Sequence, residues 1–255
     1  MPDNSGNRWS REDLILAFNL YCRIPFGRIH LRNPEIIDLA NLLGRTPGAV
    51  SYKLANLSRL DPALQARGIR GAPHGARADV DIWDEFAAGG EALAFESERL
   101  LAERAGRDLL PPDAAELDQL EGVEREVLLR TRVNQGYFRR MVLARYNFEC
   151  CITGLGIQTL LVASHIVPWA KSTEQRLNPR NGLCLNALHD RAFDRGLLTV
   201  TADLRVQISS KVNDEPSVAS TQLLQSFDGQ PLLLHSGFTP DPELLAYHRE
   251  EVFQP

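Results

Sequence analysis

The sequence has few cysteines and no long apolar run, and each shortage excludes a class of protein. Four cysteines occur in 255 residues, and no two have the C-x2-C spacing of a zinc finger. We expect reduced, mostly buried thiols, with a structural metal at Cys151 or Cys184 as the minor alternative. No segment approaches the roughly 20 apolar residues that cross a bilayer, and the N-terminus has no apolar signal core. A cytoplasmic protein without a membrane partner is expected.

The chain also lacks net positive charge, which is unusual for a protein that binds nucleic acid. The formal net charge is −5, but the charge is segregated: +3 over residues 1–83, −9 over 84–126, +6 over 127–200 and −5 over 201–255. Phosphate contacts depend on local positive surface rather than on total charge. The segregation favours DNA binding only modestly, because surface charges also serve simply to solvate a protein.

Residues 8–65 have helical patterning. Ser10 is placed to cap a helix that begins at Arg11, and Pro34 begins a second helix that Gly44 ends near residue 43. Thr46 is placed to cap a third helix from Pro47. The pattern predicts a short helical domain at 1–83.

The second and third of these helices resemble a helix-turn-helix, in which the second helix of the pair enters the major groove. The third helix would then expose Ser51, Tyr52, Lys53 and Asn56 to DNA, and Arg45 would contact phosphate at its start. A tight helical hairpin that serves packing or dimerisation has the same pattern, so that alternative stays open.

Residues 84–126 have helical composition and an acidic surface. We interpret them as a helical linker, with a DNA-mimicking shield for the basic regions as the alternative. A basic helix that bears Arg139 and Arg140 follows, within a third region at 127–255.

Three residues in this third region carry the candidate chemistry. A β-branched segment predicts a strand that ends at His165, a polar loop contains Asn181, and a predicted helix contains His189. A strand near 197–200 should follow. Each residue alone has an ordinary structural explanation, such as a core histidine or a turn asparagine.

With the words ASHIVPWA, NPRNGLCLNALHDRAFDRG and, near the C-terminus, AYHREEVF, the chain closely resembles the HNH endonuclease family, in its restriction-enzyme-like branch. The resemblance covers about residues 130–253. It implies a ββα-metal fold, so the expected class is α+β: a helix-turn-helix-like domain followed by an HNH nuclease domain. It also implies double-stranded DNA as substrate and a divalent cation, Mg²⁺ first, with Mn²⁺ or another transition metal as alternatives.

The resemblance implies a role for each residue. His165 would be the general base, Asn181 would orient the loop, and His189 would bind the metal through a neutral ring nitrogen. Many HNH nucleases carry a metal ligand just before the base, but here that residue is Ser164. Asp194 is therefore the expected second ligand, in preference to Asp190.

Arg191 and Arg195 are candidates for holding phosphate, with pairing to a nearby aspartate as the alternative. By analogy with the family we expect a restriction-type enzyme. An enzyme that requires modified cytosine in its DNA is one possibility within this class. The rivals are a non-catalytic DNA-binding regulator and a toxin or homing-type nuclease, and a homodimer would explain cuts in both strands.

Overall fold

The protein consists of two compact units, Met1–Met141 and Val142–Pro255. The computed structural model describes residues 8–65, 68, 75–109, 121–214, 216–235 and 238–255. The first unit is helical, and the second combines short strands with helices, so the predicted α+β class is confirmed. None of the helices in these ranges has both the length and the apolar character that crossing a membrane requires.

The first unit begins with three helices whose ends the sequence predicts. Its helices are α1 (Arg11–Arg23), α2 (Pro34–Leu43), α3 (Pro47–Ser58), α4 (Pro62–Gln65), α5 (Arg77–Arg104) and most of α6 (Gly122–Arg145). The Ser10 hydroxyl accepts a hydrogen bond from Asp13 N at 3.1 Å, and the Thr46 hydroxyl accepts one from Ala49 N at 3.2 Å. Gly44 ends α2 with a φ of 62°, a conformation that glycine adopts without a steric cost. The predicted caps of α1, α2 and α3 are confirmed.

The face of α3 that was expected to meet DNA is only partly exposed. Tyr52 is 53% exposed and Ser51 is half-buried, but Lys53 and Asn56 are buried. Lys53 Nζ donates to Asp79 Oδ1 at 2.7 Å, and the Asp79 side chain has no exposed surface. The expectation that Lys53 and Asn56 lie on an open face is therefore wrong, because a carboxylate at the start of α5 holds the lysine inside the unit.

Arg45 is also in the interior instead of at a phosphate-facing helix end. Its guanidinium donates to Asp13 Oδ2 at 2.9 Å, and both side chains are buried. The guanidinium carbon also lies 4.3 Å from the centre of the Trp9 ring. The expected phosphate contact of Arg45 is therefore wrong for this structure, since Asp13 neutralises the cation.

Replacing Lys53 with methionine should lower the free energy of unfolding by about 3–5 kcal/mol, because it leaves the buried Asp79 carboxylate without its cation. Urea denaturation measures this change. Tyr52→Ala, at the exposed neighbouring position, is the matched control and should stay within about 0.5 kcal/mol of wild type. Equal stabilities of the two variants would contradict the buried ion pair.

The acidic segment predicted as a linker is largely part of the helical unit. Residues 84–104 lie in α5, and their carboxylates pair with arginines on the chain's helices. Arg11 of α1, for example, bonds Glu85 at 2.6 Å and Glu96 at 2.8 Å. The linker interpretation is thus wrong for residues 84–104, and residues 110–120 lie outside the described ranges. A sequence count of charge does not reveal which carboxylates already have partners.

Helix α6 carries Arg139 and Arg140 and contains the boundary between the two units. Arg140 Nη2 lies 2.6 Å from Glu98 Oε1, so this proposed DNA contact already has a carboxylate partner, and Arg139 is half-buried. The units divide between Met141 and Val142, inside a continuous helix. The boundary predicted at residue 127 therefore differs from the one in the structure.

The second unit contains two antiparallel hairpins. Its elements are β1 (Leu161–His165), β2 (Gly182–Asn186), α7 (Ala187–Asp194), β3 (Leu198–Val200), β4 (Val206–Ile208), α8 (Val218–Leu223) and α9 (Pro242–Glu251). The expected strand near 197–200 exists as β3, but it pairs with β4, whereas β1 pairs with β2. The short apolar segment before α7 is therefore β2, the second strand of the β1–β2 hairpin. All four cysteines are buried thiols outside any disulfide, as predicted.

Helix α9 buries a neutral histidine, which should make stability depend on pH. Burial lowers the pKa of His248 from about 6.5 to about 4. Between these values the unfolded chain binds a proton that the folded protein does not, so this contribution is complete above pH 6.5 and is lost as the pH falls to 4. The loss should total about 3 kcal/mol. Urea unfolding at pH 7 and pH 4.5 measures it, and His248→Gln should show a smaller pH dependence than wild type; identical pH dependences would contradict the assignment.

Candidate active site

The β1–β2 hairpin brings His165 and Asn181 together. In the register of the hairpin, His165 lies opposite Gly182, so Asn181 lies beside the end of β1. Ile166 N donates to Asn181 O at 2.9 Å, which extends the strand pairing by one more bond. Two residues that are distant in sequence thus meet at the mouth of the hairpin loop.

The Asn181 side chain closes this loop. It is buried; its Oδ1 accepts from Val167 N at 2.8 Å, and its Nδ2 donates to Val167 O and to Gln175 O, each at 3.1 Å. An amide is well suited to this position because it donates and accepts at once. This geometry agrees with the expected orientation of the loop by Asn181, and an effect on catalysis stays a prediction.

His165 is held in one tautomer. Its Nε2 lies 3.1 Å from Arg176 O, and a carbonyl oxygen only accepts, so Nε2 carries the ring proton. In the neutral ring Nδ1 therefore carries the lone pair. Burial lowers the pKa of His165 below its ordinary value, which keeps the ring neutral at pH 7. The Trp169 ring packs edge-on against it, with centroids 5.5 Å apart, so this tryptophan is a packing residue.

His189 lies in the interior, and its expected role as a metal ligand is not supported by its geometry. The side chain is buried; Nε2 donates to Leu223 O at 2.8 Å, and Nδ1 lies 3.2 Å from the Asn186 amide nitrogen. Burial raises the pKa of the Cys150 thiol, but hydrogen bonds from His189 and Thr153 lower it to about 7. Both ring nitrogens thus serve internal contacts, and we correct the assignment of His189 to a metal.

Replacing His189 with alanine should lower the free energy of unfolding by about 2–4 kcal/mol, because it removes two buried hydrogen bonds and opens a cavity. Thermal and urea denaturation measure the change. Leu188→Ala, one residue earlier and 45% exposed, is the control and should change stability little. A His189→Ala protein of normal stability that has lost its affinity for metal would instead restore the ligand role.

Asp190 takes the position near β1 that His189 was expected to fill. Consecutive residues of a helix point about 100° apart, so the burial of His189 turns Asp190 to another face. Burial raises the pKa of Asp190; the Ser164 hydroxyl lowers it, and the carboxylate of Asp194 raises it further. The Ser164 oxygen is buried and, within the described part of the chain, makes no hydrogen bond of good geometry. Asp190 of α7 and Ser164 of β1 therefore form a polar pair.

Asp194, the last residue of α7, shares a helix face with Asp190 because the two are four residues apart. Partial burial raises the pKa of Asp194, and Arg191 and Arg195 offset part of this rise. Both arginines are exposed. Helix α7 and its C-cap thus carry two carboxylates and two exposed cations.

The side chains present fit one hard cation that is bound incompletely by protein. Among the described residues, no group of three or more His, Cys, Asp or Glu side chains is arranged to hold a metal ion. Mg²⁺, however, is commonly bound by one or two carboxylates, with water and substrate phosphate as its other ligands. Asp190 and Asp194, with raised pKa values and with the Ser164 hydroxyl near Asp190, suit that arrangement.

Sequence reasoning ranked Asp190 below Asp194 and did not foresee its contact with Ser164, although a signal for the placement of Asp190 was available. His189 and Phe193 share one face of α7 at i and i+4, and Asp190 and Asp194 share another. Since Phe193 is apolar, its face was the one to bury. The helix therefore turns His189 inward together with Phe193 and leaves the aspartates together.

One segment of the second unit matches a known protein family. Residues 150–201 match a family model described as HNH endonuclease. The match covers about a fifth of the chain and includes both strands of the β1–β2 hairpin, α7 and β3. No curated protein matches the chain. The protein therefore carries an HNH endonuclease domain and is a nuclease, a hydrolase of phosphodiester bonds.

Proposed function

We propose that this HNH nuclease cuts double-stranded DNA with Mg²⁺ and acts as a restriction-type enzyme. The observation that carries the proposal is that the β1–β2 hairpin and α7 both lie in the segment that matches the HNH endonuclease family. The hairpin holds the His165 ring with its lone pair on Nδ1, and α7 with its C-cap carries two carboxylates and two exposed arginines. Mn²⁺ or another transition metal is the alternative cation.

Each residue has a task in the hydrolysis. His165 removes a proton from the attacking water at Nδ1, and its bond to the Arg176 carbonyl stabilises the charged ring that results. Arg191 and Arg195 hold the phosphate oxygens through charge-assisted hydrogen bonds. Asn181 keeps the loop and His165 in register, because it bonds the backbone on both sides of the loop.

Asp190 and Asp194 would hold the divalent cation. A cation bound there supplies a Lewis acid for the phosphoryl oxygen and for the leaving 3′ oxygen. Burial raises the pKa of both carboxyls, because it removes water from their charged forms, and a bound cation would compensate for that loss. The product ends expected from the family are 5′-phosphates.

The helical unit contributes to DNA binding through the exposed part of α3. Tyr52 and Ser51 remain open to contact, whereas the neighbouring lysine and asparagine are buried. A second copy of the chain would supply the second cut in duplex DNA, and sedimentation in the presence of DNA tests for that dimer.

The proposal is tested by incubating supercoiled plasmid with the protein and Mg²⁺ or Mn²⁺, with EDTA as the metal-free control. Nicked and linear DNA should form only with metal. Single-stranded DNA and RNA of the same sequence serve as competing substrates. Absence of metal-dependent cleavage on every substrate would favour the rival function, a DNA-binding regulator whose HNH region is structural.

The restriction role needs its own test, since it rests on analogy with the family branch. Matched DNA that is unmodified or carries 5-methylcytosine or 5-hydroxymethylcytosine should be digested, and the ends sequenced. A preferred sequence or modification would support a restriction enzyme. Cleavage without preference would favour a toxin-type nuclease.

A further inference from the structure

We propose that the C-terminal segment formed by α9 and residues 252–254 positions Asp194, with His248 as the main positioning residue. The proposal rests on the proposed function, in which Asp194 faces the cation. No residue of this C-terminal segment has a role in the hydrolysis described above.

His248 joins the end of α7 to strand β3. Its ring lies parallel to the Phe193 ring, with centroids 3.6 Å apart and an interplanar angle of 10°. Nε2 donates to Phe193 O at 3.1 Å, and Nδ1 lies 2.9 Å from the Thr199 hydroxyl. The side chain is buried, so one imidazole fixes the residue before Asp194 through its backbone and its ring at once.

The tail after α9 holds the residues that follow Asp194. Gln254 N donates to Gly196 O at 2.9 Å, and the Gln254 amide donates to Arg195 O at 3.0 Å. Lys211 Nζ in turn donates to Gln254 Oε1 at 2.7 Å, which fixes the orientation of that amide. The carbonyls on both sides of Asp194 are therefore bonded to the C-terminal segment.

The turn that follows Asp194 has no room for a side chain at Gly196. Gly196 has a φ of 69°, and a Cβ at this position would collide with the Val252 carbonyl oxygen. The last carbonyls of a helix have no partner within the helix. Here Phe193 O accepts from His248 Nε2 as well as from Gly196 N, and Gln254 bonds the carbonyls of Arg195 and Gly196. The direction of Asp194 at the end of α7 therefore depends on a segment that is distant in sequence.

The test compares His248→Leu with His248→Gln in the full chain. Leucine removes both hydrogen bonds, whereas the glutamine amide retains a donor and an acceptor. Outer partners of metal ligands typically contribute about 10- to 100-fold to activity or affinity. We expect His248→Leu to slow plasmid cleavage by about that factor and to raise the Mn²⁺ concentration for half-maximal cleavage, and His248→Gln to recover most of the loss. Gly196→Ala should act in the same direction as His248→Leu.

Two further measurements do not depend on cleavage. Binding of Mn²⁺ alone, followed by electron paramagnetic resonance, should weaken in His248→Leu. The amide protons of Gly196 and Leu197, which bond Phe193 O and Ala192 O in the wild type, should exchange at least about tenfold faster. Glu250→Gln, an exposed change on α9, is the control and should match wild type in each measurement.

The outcomes separate the two proposals. If wild type cleaves DNA with metal but His248→Leu and Gly196→Ala bind Mn²⁺ and cleave as wild type does, the positioning role is wrong while the nuclease stands. If wild type cleaves no DNA, the proposed function fails, and the exchange data still decide whether the C-terminal segment holds the turn. Equal losses in His248→Leu and His248→Gln, without rescue, would also overturn the role.

Discussion

Replacing His165 with alanine should lower the rate of metal-dependent DNA cleavage by about 10²- to 10⁴-fold, the usual contribution of a general base. The loss is expected because the Arg176 carbonyl fixes the ring proton on Nε2 of His165 and leaves the lone pair on Nδ1 to accept a proton from water. Plasmid nicking under single-turnover conditions measures the rate. Affinity for DNA and for metal should change little.

The matched control is His30→Ala, which removes an exposed imidazole from the helical unit. It should cleave at the wild-type rate. The pH profile adds a second check: the rate should rise with the fraction of neutral His165, and the lowered pKa of this ring places the midpoint below pH 6.5. A His165→Ala enzyme with wild-type activity would remove the proposed base.

Replacing Asp190 with asparagine should lower cleavage by at least about 100-fold, since even indirect partners of a metal contribute up to that factor. The side chain keeps its size but loses the charge that attracts the cation. Titration of cleavage rate against Mg²⁺ and Mn²⁺ should show a higher metal requirement as well as a lower maximum.

Asp194→Asn tests the second carboxylate in the same assay and should also raise the metal requirement. Asp203→Asn is the control, because it alters an exposed carboxylate in the turn between β3 and β4, and it should have no effect. Asp241→Asn is unsuitable, because Asp241 caps α9. If Asp194→Asn leaves cleavage and metal affinity unchanged, Asp194 is not a ligand. If Asp190→Asn does the same, the cation site lies elsewhere.

The local starts and ends of the elements were predictable because each depends on one or two neighbouring residues. Ser10, Thr46 and Gly44 act on the backbone within three residues of themselves. The strand that ends at His165 was predictable for a similar reason, since β-branched residues precede it and a proline follows. Such features need no knowledge of tertiary contacts.

The site was only partly predictable, because it depends on the rotation of α7 about its axis. The sequence motifs shared with the HNH family located the segment. The choice between His189 and Asp190, however, required knowing which face of α7 packs inward. Asn186 caps α7 and lies beside His189 Nδ1, and that contact fixes the rotation. Resemblance locates a motif, whereas the cap and the core determine which of two adjacent side chains is buried.

The prediction that one face of α3 is open to DNA was wrong for a different reason. Polar residues at helical spacing predict an exposed stripe, but Lys53 and Arg45 meet Asp79 and Asp13 from other helices. These carboxylates are 26 and 32 residues away in sequence. No local pattern reveals such pairs, so buried ion pairs are mistaken for solvent-facing charge.

The Asn181 amide bonds both ends of the hairpin loop. Changes within the loop and changes at the asparagine should therefore have different consequences during evolution. Residues 170–174 lie between the bonded positions Val167 and Gln175, and none of the three Asn181 side-chain bonds involves them. We expect insertions and substitutions there to leave these bonds in place, and with them the position of His165, the proposed base. Related nucleases are therefore expected to vary in this short stretch and to retain the asparagine.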